Sequence, residues 1–166
     1  MLSPEQIVQC DRTSLGCNGG WTESAYKYVQ KTGGLELDAS YPYTSYKGVT
    51  GSCAVDSKKF VVTVDSYTTV SGEAAMASYV QSTGPLSVCL DATTWNSYTG
   101  GIMSECGSSV DHCVQAVGVD ASANGYWKVR NSWGTSWGES GYIRLAYGAN
   151  TCSITNDPTY ATVRAL

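Results

Sequence analysis

The pattern of polar and apolar positions changes character near residue 65. Before it, short helical runs are separated by irregular stretches. Ser3-Pro4-Glu5-Gln6 predicts a helix reaching Cys10, with Ser3 as N-cap, Pro4 at the first helical position and Gln6 completing a capping box. DRTSLGCNGG follows as a Gly-rich loop, in which Gly19 and Gly20 read by themselves as a tight turn. From Trp21 the spacing is helical as far as Lys31, where Gly33 and Gly34 stop it. Residues 34–60 show few periodic apolar positions and are expected to run over a surface. Phe60–Val64 is strand-like, and Gly72–Gln81 reads as a helix capped by Ser71 and ended by Gly84 and Pro85. Thereafter alternation dominates. Leu86–Leu90, His112–Val119, Tyr126–Asn131, Tyr142–Ala146 and Tyr160–Val163 are the predicted strands, with Asn124-Gly125 turning a hairpin. Two lobes are expected, one helical and loop-rich over 1–64 and one β-rich over 65–166, giving an α+β fold.

Composition narrows the classes. Hydrophobic residues make up 42% and charged residues 14% of the 166, enough to bury a core and too few charges for a disordered chain. With a net charge of -4 and no Lys/Arg run, nucleic acid is not an expected partner. No apolar run approaches membrane-spanning length, so no membrane partner is expected, and the N-terminus has no export-signal pattern. Seven cysteines favour an oxidising compartment, and the odd number leaves at least one without a partner inside the chain. There is no CxxC spacing and only one histidine, so neither a metal nor another cofactor is expected. Disulfides without an export signal suggest a processed or truncated product.

The one histidine, His112, lies in VDHCVQAVG, and Asn131 lies in YWKVRNSWGTSWGESGY. Neighbouring strands carrying these two residues would set an amide against an imidazole nitrogen, the base and orienter of a cysteine-nucleophile site. LSPEQIVQCD, GCNGG, YPYT, GPLSV, VDHCVQAVG, YWKVRNSWGTSWGESGYIRL and NTCSITNDPTYATV occur in that order along the chain, which thereby resembles the papain-like (cathepsin-type) cysteine peptidases from end to end. The resemblance implies a partly helical left lobe and a β-barrel-like right lobe, with peptide lying extended between them and the C-terminal strand returning to the lobe interface. It makes His112 the general base, Asn131 the amide that orients it and Trp133 the indole that shields their contact.

The nucleophile of that family does not match any residue of this chain. Its CG(S/A)C(W/Y) signature precedes the histidine and asparagine by about 130 to 150 residues, which puts it roughly 20 residues before Met1. The family's upstream oxyanion glutamine has no match either. Cys113 follows His112 directly, and strand neighbours point to opposite faces, so it is not expected to share a proton with the ring. The chain is therefore expected to be a truncated cysteine endopeptidase that does not hydrolyse peptides alone. The alternative is a non-catalytic homologue serving as a peptide-binding or regulatory module.

By the same resemblance Cys10 pairs with Cys53 and Cys106 with Cys152, while Cys17 is left with its partner missing. Cys89 and Cys113 match no family disulfide. They fall where the family lines its main specificity pocket, and we expect small buried apolar residues there, a bridge between them being the less expected alternative. Trp21, Thr22, Val110, Asp111 and Asp157 are further pocket positions, and Gly19 and Gly20 would pair with substrate backbone. Asp157 is either an acceptor for a basic substrate side chain or an exposed turn residue before Pro158. Trp127 and Trp137 read as packing residues, and Trp95 as a core or loop residue. The implied partners are a peptide or protein substrate and an inhibitory propeptide or protein inhibitor, and the implied location is extracellular or lysosomal/vacuolar.

Overall fold

A computed structural model describes residues 1–166. They divide into two compact units, one formed by Met1–Thr68 with Ala161–Leu166 and the other by Thr69–Tyr160. The change in sequence pattern at 64/65 falls a few residues before this division, and the last six residues belong with the first unit.

In the first unit, α1 (Pro4–Cys10) starts where expected, the Ser3 hydroxyl accepting the Gln6 N–H at 3.1 Å. The reciprocal half of the capping box does not form. Gln6 is fully buried, its amide donating to Gly34 O and to the Tyr28 hydroxyl and its oxygen accepting the Glu36 N–H, so Ser3 N–H goes to Glu36 O instead. A buried amide takes all the partners within reach, and here they lie on the following segment. α2 (Thr22–Thr32) ends at Gly33, whose φ of 98° is the left-handed cap conformation that glycine adopts without strain. The irregular segment after it is held by a Cys10–Cys53 disulfide and by Tyr41, whose hydroxyl donates to Gln9 and accepts from Ala54 N–H. β1 (Val62–Thr69) begins two residues later and runs longer than the pattern suggested.

In the second unit, α3 (Glu73–Ser82) follows Gly72, and Ser71 provides no side-chain cap, contrary to expectation. Gly72, at φ 90°, occupies the cap position itself. Glu73 turns back to accept the Trp127 indole N–H and the backbone N–H groups of Gly148 and Asn150. The strands are β2 (Leu86–Leu90), β3 (Ile102–Met103), β4 (His112–Val119), β5 (Tyr126–Arg130), β6 (Tyr142–Ala146) and β7 (Thr159–Ala165). Their order is β7-β2-β4-β5-β6-β3, and past Tyr160 β7 enters the first unit, where β1 is its neighbour. The order has two free ends, so the sheet of this α+β fold is open and does not close on itself. β2, β4, β5 and β6 pair antiparallel. In β5 and β6 alternate residues Trp127, Val129, Ile143 and Leu145 are fully buried, meeting Leu86, Val88 and Leu90 of β2, Met76 of α3, Trp95 and Ile154. The β4–β5 turn needs Gly125, because a Cβ there would collide with the Asp120 carbonyl oxygen. No helix is long and apolar enough to cross a membrane.

Candidate active site

The central strand pair brings the histidine and the asparagine together. β4 and β5 are antiparallel neighbours whose last pair at this end is Gln115 with Arg130. His112 is the first residue of β4, and Asn131 follows β5 directly. Asn131 is buried, its backbone N–H bonded to Gly141 O, so the amide side chain has little freedom. Its Oδ1 lies 2.9 Å from His112 Nε2 and also accepts the Ser132 N–H at 2.8 Å. The Ser132 bond decides the orientation of the amide, since a backbone N–H can only meet the oxygen. An amide oxygen only accepts, so the proton is assigned to Nε2 and the neutral ring keeps its lone pair on Nδ1. Nδ1 is then the atom that can take a proton from a reacting group.

Aromatic groups hold the ring in place. Trp133 stacks on His112 at 5.3 Å between centroids while remaining 39% exposed, so it lies as a lid over the imidazole. The fully buried Trp95 meets the same ring edge-on at 6.1 Å and stacks on Trp137, whose indole N–H donates to Trp95 O. Such contacts are worth about 0.5–1.5 kcal/mol each beyond the area they bury. The place of Trp95 beside His112 was not foreseen: it stands in DATTWNSY, where neither periodicity nor motif marks it. Trp127 and Trp137 are packing residues, as expected. The loop carrying Trp133 turns tightly at Gly138, φ 55°, where a Cβ would come within 2.6 Å of Tyr142 O.

The segment that delivers His112 is fastened by carboxylates. Asp111, exposed, accepts the Ala92 N–H, and Val110 beside it is half-buried. Asp91, which sequence reasoning missed, is buried and accepts from the Thr93 hydroxyl, the Thr93 N–H and the Ser109 N–H. These bonds hold its carboxyl below the usual range, the Thr93 hydroxyl most of all. Asp91-Ala-Thr93, an acidic residue two before a threonine, was the available signal for this turn.

Cys89 and Cys113 form a disulfide, which corrects the expectation of free buried residues. They are directly opposed in the β2–β4 ladder with Cα atoms 4.0 Å apart, and opposed residues place their side chains on one face within bonding reach. Cys113 therefore has no thiol to offer His112. Cys106 is bridged to Cys152 as expected, and Cys17, half-buried, is the one free cysteine. Of the other anticipated positions, Gly19, Gly20, Trp21 and Thr22 lie in the first unit, where Gly19 has φ 108° and Trp21 is 57% exposed just before α2. Asp157 lies in the second unit, half-buried beside Pro158.

The pattern describing the papain family of cysteine proteases matches residues 1–162. Cysteine proteinase A of Leishmania mexicana is 40% identical over 168 residues, covering 99% of this chain and 48% of that protein. Cathepsin L 2 of Paramecium tetraurelia is 40% identical over 161 residues, covering 96% and 49%. The chain thus spans about half the length of the curated relatives it matches. Among solved structures, digestive procathepsin L2 proteinase from Tenebrio molitor larval midgut superposes with a TM-score of 0.89 at 34% identity, covering 97% of this chain and 53% of that one. Bromelain protease from Ananas comosus, in complex with the inhibitor E64, superposes with a TM-score of 0.84 at 32% identity, covering 97% and 77%. This chain belongs to the papain family of cysteine proteases.

Proposed function

We propose that this chain supplies the base, its orienting amide and much of the substrate-contacting surface of a cysteine endopeptidase, the nucleophilic thiolate coming from residues outside these 166. The observation that carries this reading is the 2.9 Å contact between His112 Nε2 and Asn131 Oδ1 beside the stacked Trp133. In the reaction the thiolate adds to a peptide carbonyl and the imidazolium gives its Nδ1 proton to the departing amine. The resulting thioester is then cleaved by a water molecule that loses its proton to the same nitrogen, restoring the starting state. Asn131 holds the ring at one angle through both steps. Gly19, Gly20, Trp21 and Thr22 are the substrate contacts of the first unit, and Val110, Asp111, Cys113 and Asp157 those of the second, while Cys89 is fully buried in its disulfide and does not reach substrate. Asp157 favours a basic side chain.

The inhibitor complex of bromelain and the proenzyme form of the Tenebrio relative support an inhibitor or propeptide as a partner class beside a peptide substrate. Three disulfides support an extracellular or lysosomal/vacuolar location. A non-catalytic peptide-binding homologue is the second reading, favoured by one observation: six of the seven cysteines are bonded, leaving only Cys17 free.

The deciding experiment compares the 166 residues alone with the same chain joined to an upstream CGSCW-bearing segment, following cleavage of a fluorogenic peptide. Only the joined form should turn over, and His112→Ala in it should lower kcat about 10⁴-fold or more. Turnover by the 166 residues alone, blocked by a thiol alkylator, would overturn the assignment of the nucleophile. An inert joined form would favour the binding module.

A further inference from the structure

We infer that the Cys89–Cys113 disulfide is a positioning element for His112, fixing the end of the strand from which the imidazole projects. The inference rests on the reading of His112 as the base of the site, but its test does not depend on peptide cleavage.

His112 stands at a strand end paired on one side only. It is the first residue of β4 and is paired with Leu90, the last residue of β2. On the other side of β4 the ladder with β5 begins only at Gln115, so His112, Cys113 and Val114 have no β5 partner. That ladder is further interrupted by a register shift between Ala116 and Gly118. Strand ends held from one side open locally far more readily than a sheet centre. The segment before His112, residues 104–111, has no regular structure and exposes most of its residues. It is fastened by the Asp91 and Asp111 carboxylates, by the Asp111 N–H donating to Leu90 O and by the Cys106–Cys152 bridge.

The Cys89–Cys113 bond joins β2 to β4 at the pair next to Leu90 and His112. Cys89 is fully buried, and Cys113 and His112 project from opposite faces of β4. The bond therefore ties the strand down from the face opposite the ring and leaves the ring itself to Asn131 and Trp133. A displacement of about 1 Å at a reacting group can cost about a hundredfold in rate, so the position of this strand end matters to a base in a way that bulk stability does not. The two remaining disulfides join loops or a helix end, whereas this one joins two adjacent sheet strands.

His112 is the only histidine, so its imidazole N–H can be followed by NMR in the intact chain without assignment ambiguity. The Nε2–H that donates to Asn131 reports opening of the site through its solvent exchange. The comparison sets the native chain against Cys89→Ala/Cys113→Ala, the volume-restoring Cys89→Val/Cys113→Ala, and Cys106→Ala/Cys152→Ala as a control. The first two should exchange the Nε2–H at least about tenfold faster than the native chain when folded to the same far-UV and near-UV spectra, and the control should change it less. Unchanged exchange in either folded Cys89/Cys113 variant overturns the inference, even where its melting temperature falls. Equal acceleration in the control overturns it as well, since that marks general loosening, as does failure of both Cys89/Cys113 variants to fold, which marks a purely structural bond. The proposed peptidase function stands or falls separately on the joined form.

Discussion

Asn131 combines two tasks that pull on a single oxygen. Its Oδ1 receives both the His112 ring and the Ser132 backbone N–H, so the amide cannot rotate without breaking a bond to its own loop. Asn131→Ala in an active joined form should leave KM nearly unchanged and lower kcat about 100-fold, because the ring is released from its working angle and not from the substrate. Steady-state kinetics separate the two; a loss confined to KM would assign Asn131 to substrate binding instead. Asp91 acts at the same scale through protonation. A carboxyl whose folded-state pKa lies below its unfolded value adds stability that is present in full above the unfolded value and is lost as the pH falls through the folded one. Asp91→Asn should therefore melt at a lower temperature than the native chain at neutral pH. The difference should shrink as the pH is lowered from about 5 to about 2, as melts across that series will show.

Among the elements, α3 depends on its first residue. Glu73 takes three donors, one of them the indole N–H of the fully buried Trp127. Glu73→Ala should cost about 1–3 kcal/mol, measured by denaturant unfolding, because that indole is left in the interior without a partner. Sequence could place α3 from its Gly84-Pro85 stop and its length, but it suggested Ser71 as the cap because side-chain caps are the usual signal. Gly72 at positive φ leaves no such trace. β3 was invisible for a different reason: two residues running parallel to β6 are too few to show any alternation. The strands β2, β4, β5 and β6 were legible because each combines β-branched or aromatic residues with a buried face. His112, Asn131 and Trp133 were legible because each stands in a long motif. The Cys89–Cys113 bond was not, since it follows from a register that pairs two residues 24 apart, and nothing within either strand states which residue will face which. Gln6 shows the same limit, its local partner being displaced by others nearly thirty positions away.

Over the whole chain, every disulfide closes inside one unit: Cys10–Cys53 in the first, Cys89–Cys113 and Cys106–Cys152 in the second. The second unit is also continuous in sequence, from Thr69 to Tyr160, whereas the first is assembled from the opening residues and from Ala161–Leu166. Arg164 reaches Asp65, and Leu166 N–H reaches Val61 O, so β1, bridged to Leu35 at Val62, acquires its strand neighbour from the last strand. A chain made from its N-terminus ordinarily folds its leading domain first. Here one pairing of the first unit departs from that order. β1, held at Val62 by Leu35, gains its β7 neighbour only once residues 161–166 have emerged from the exit tunnel.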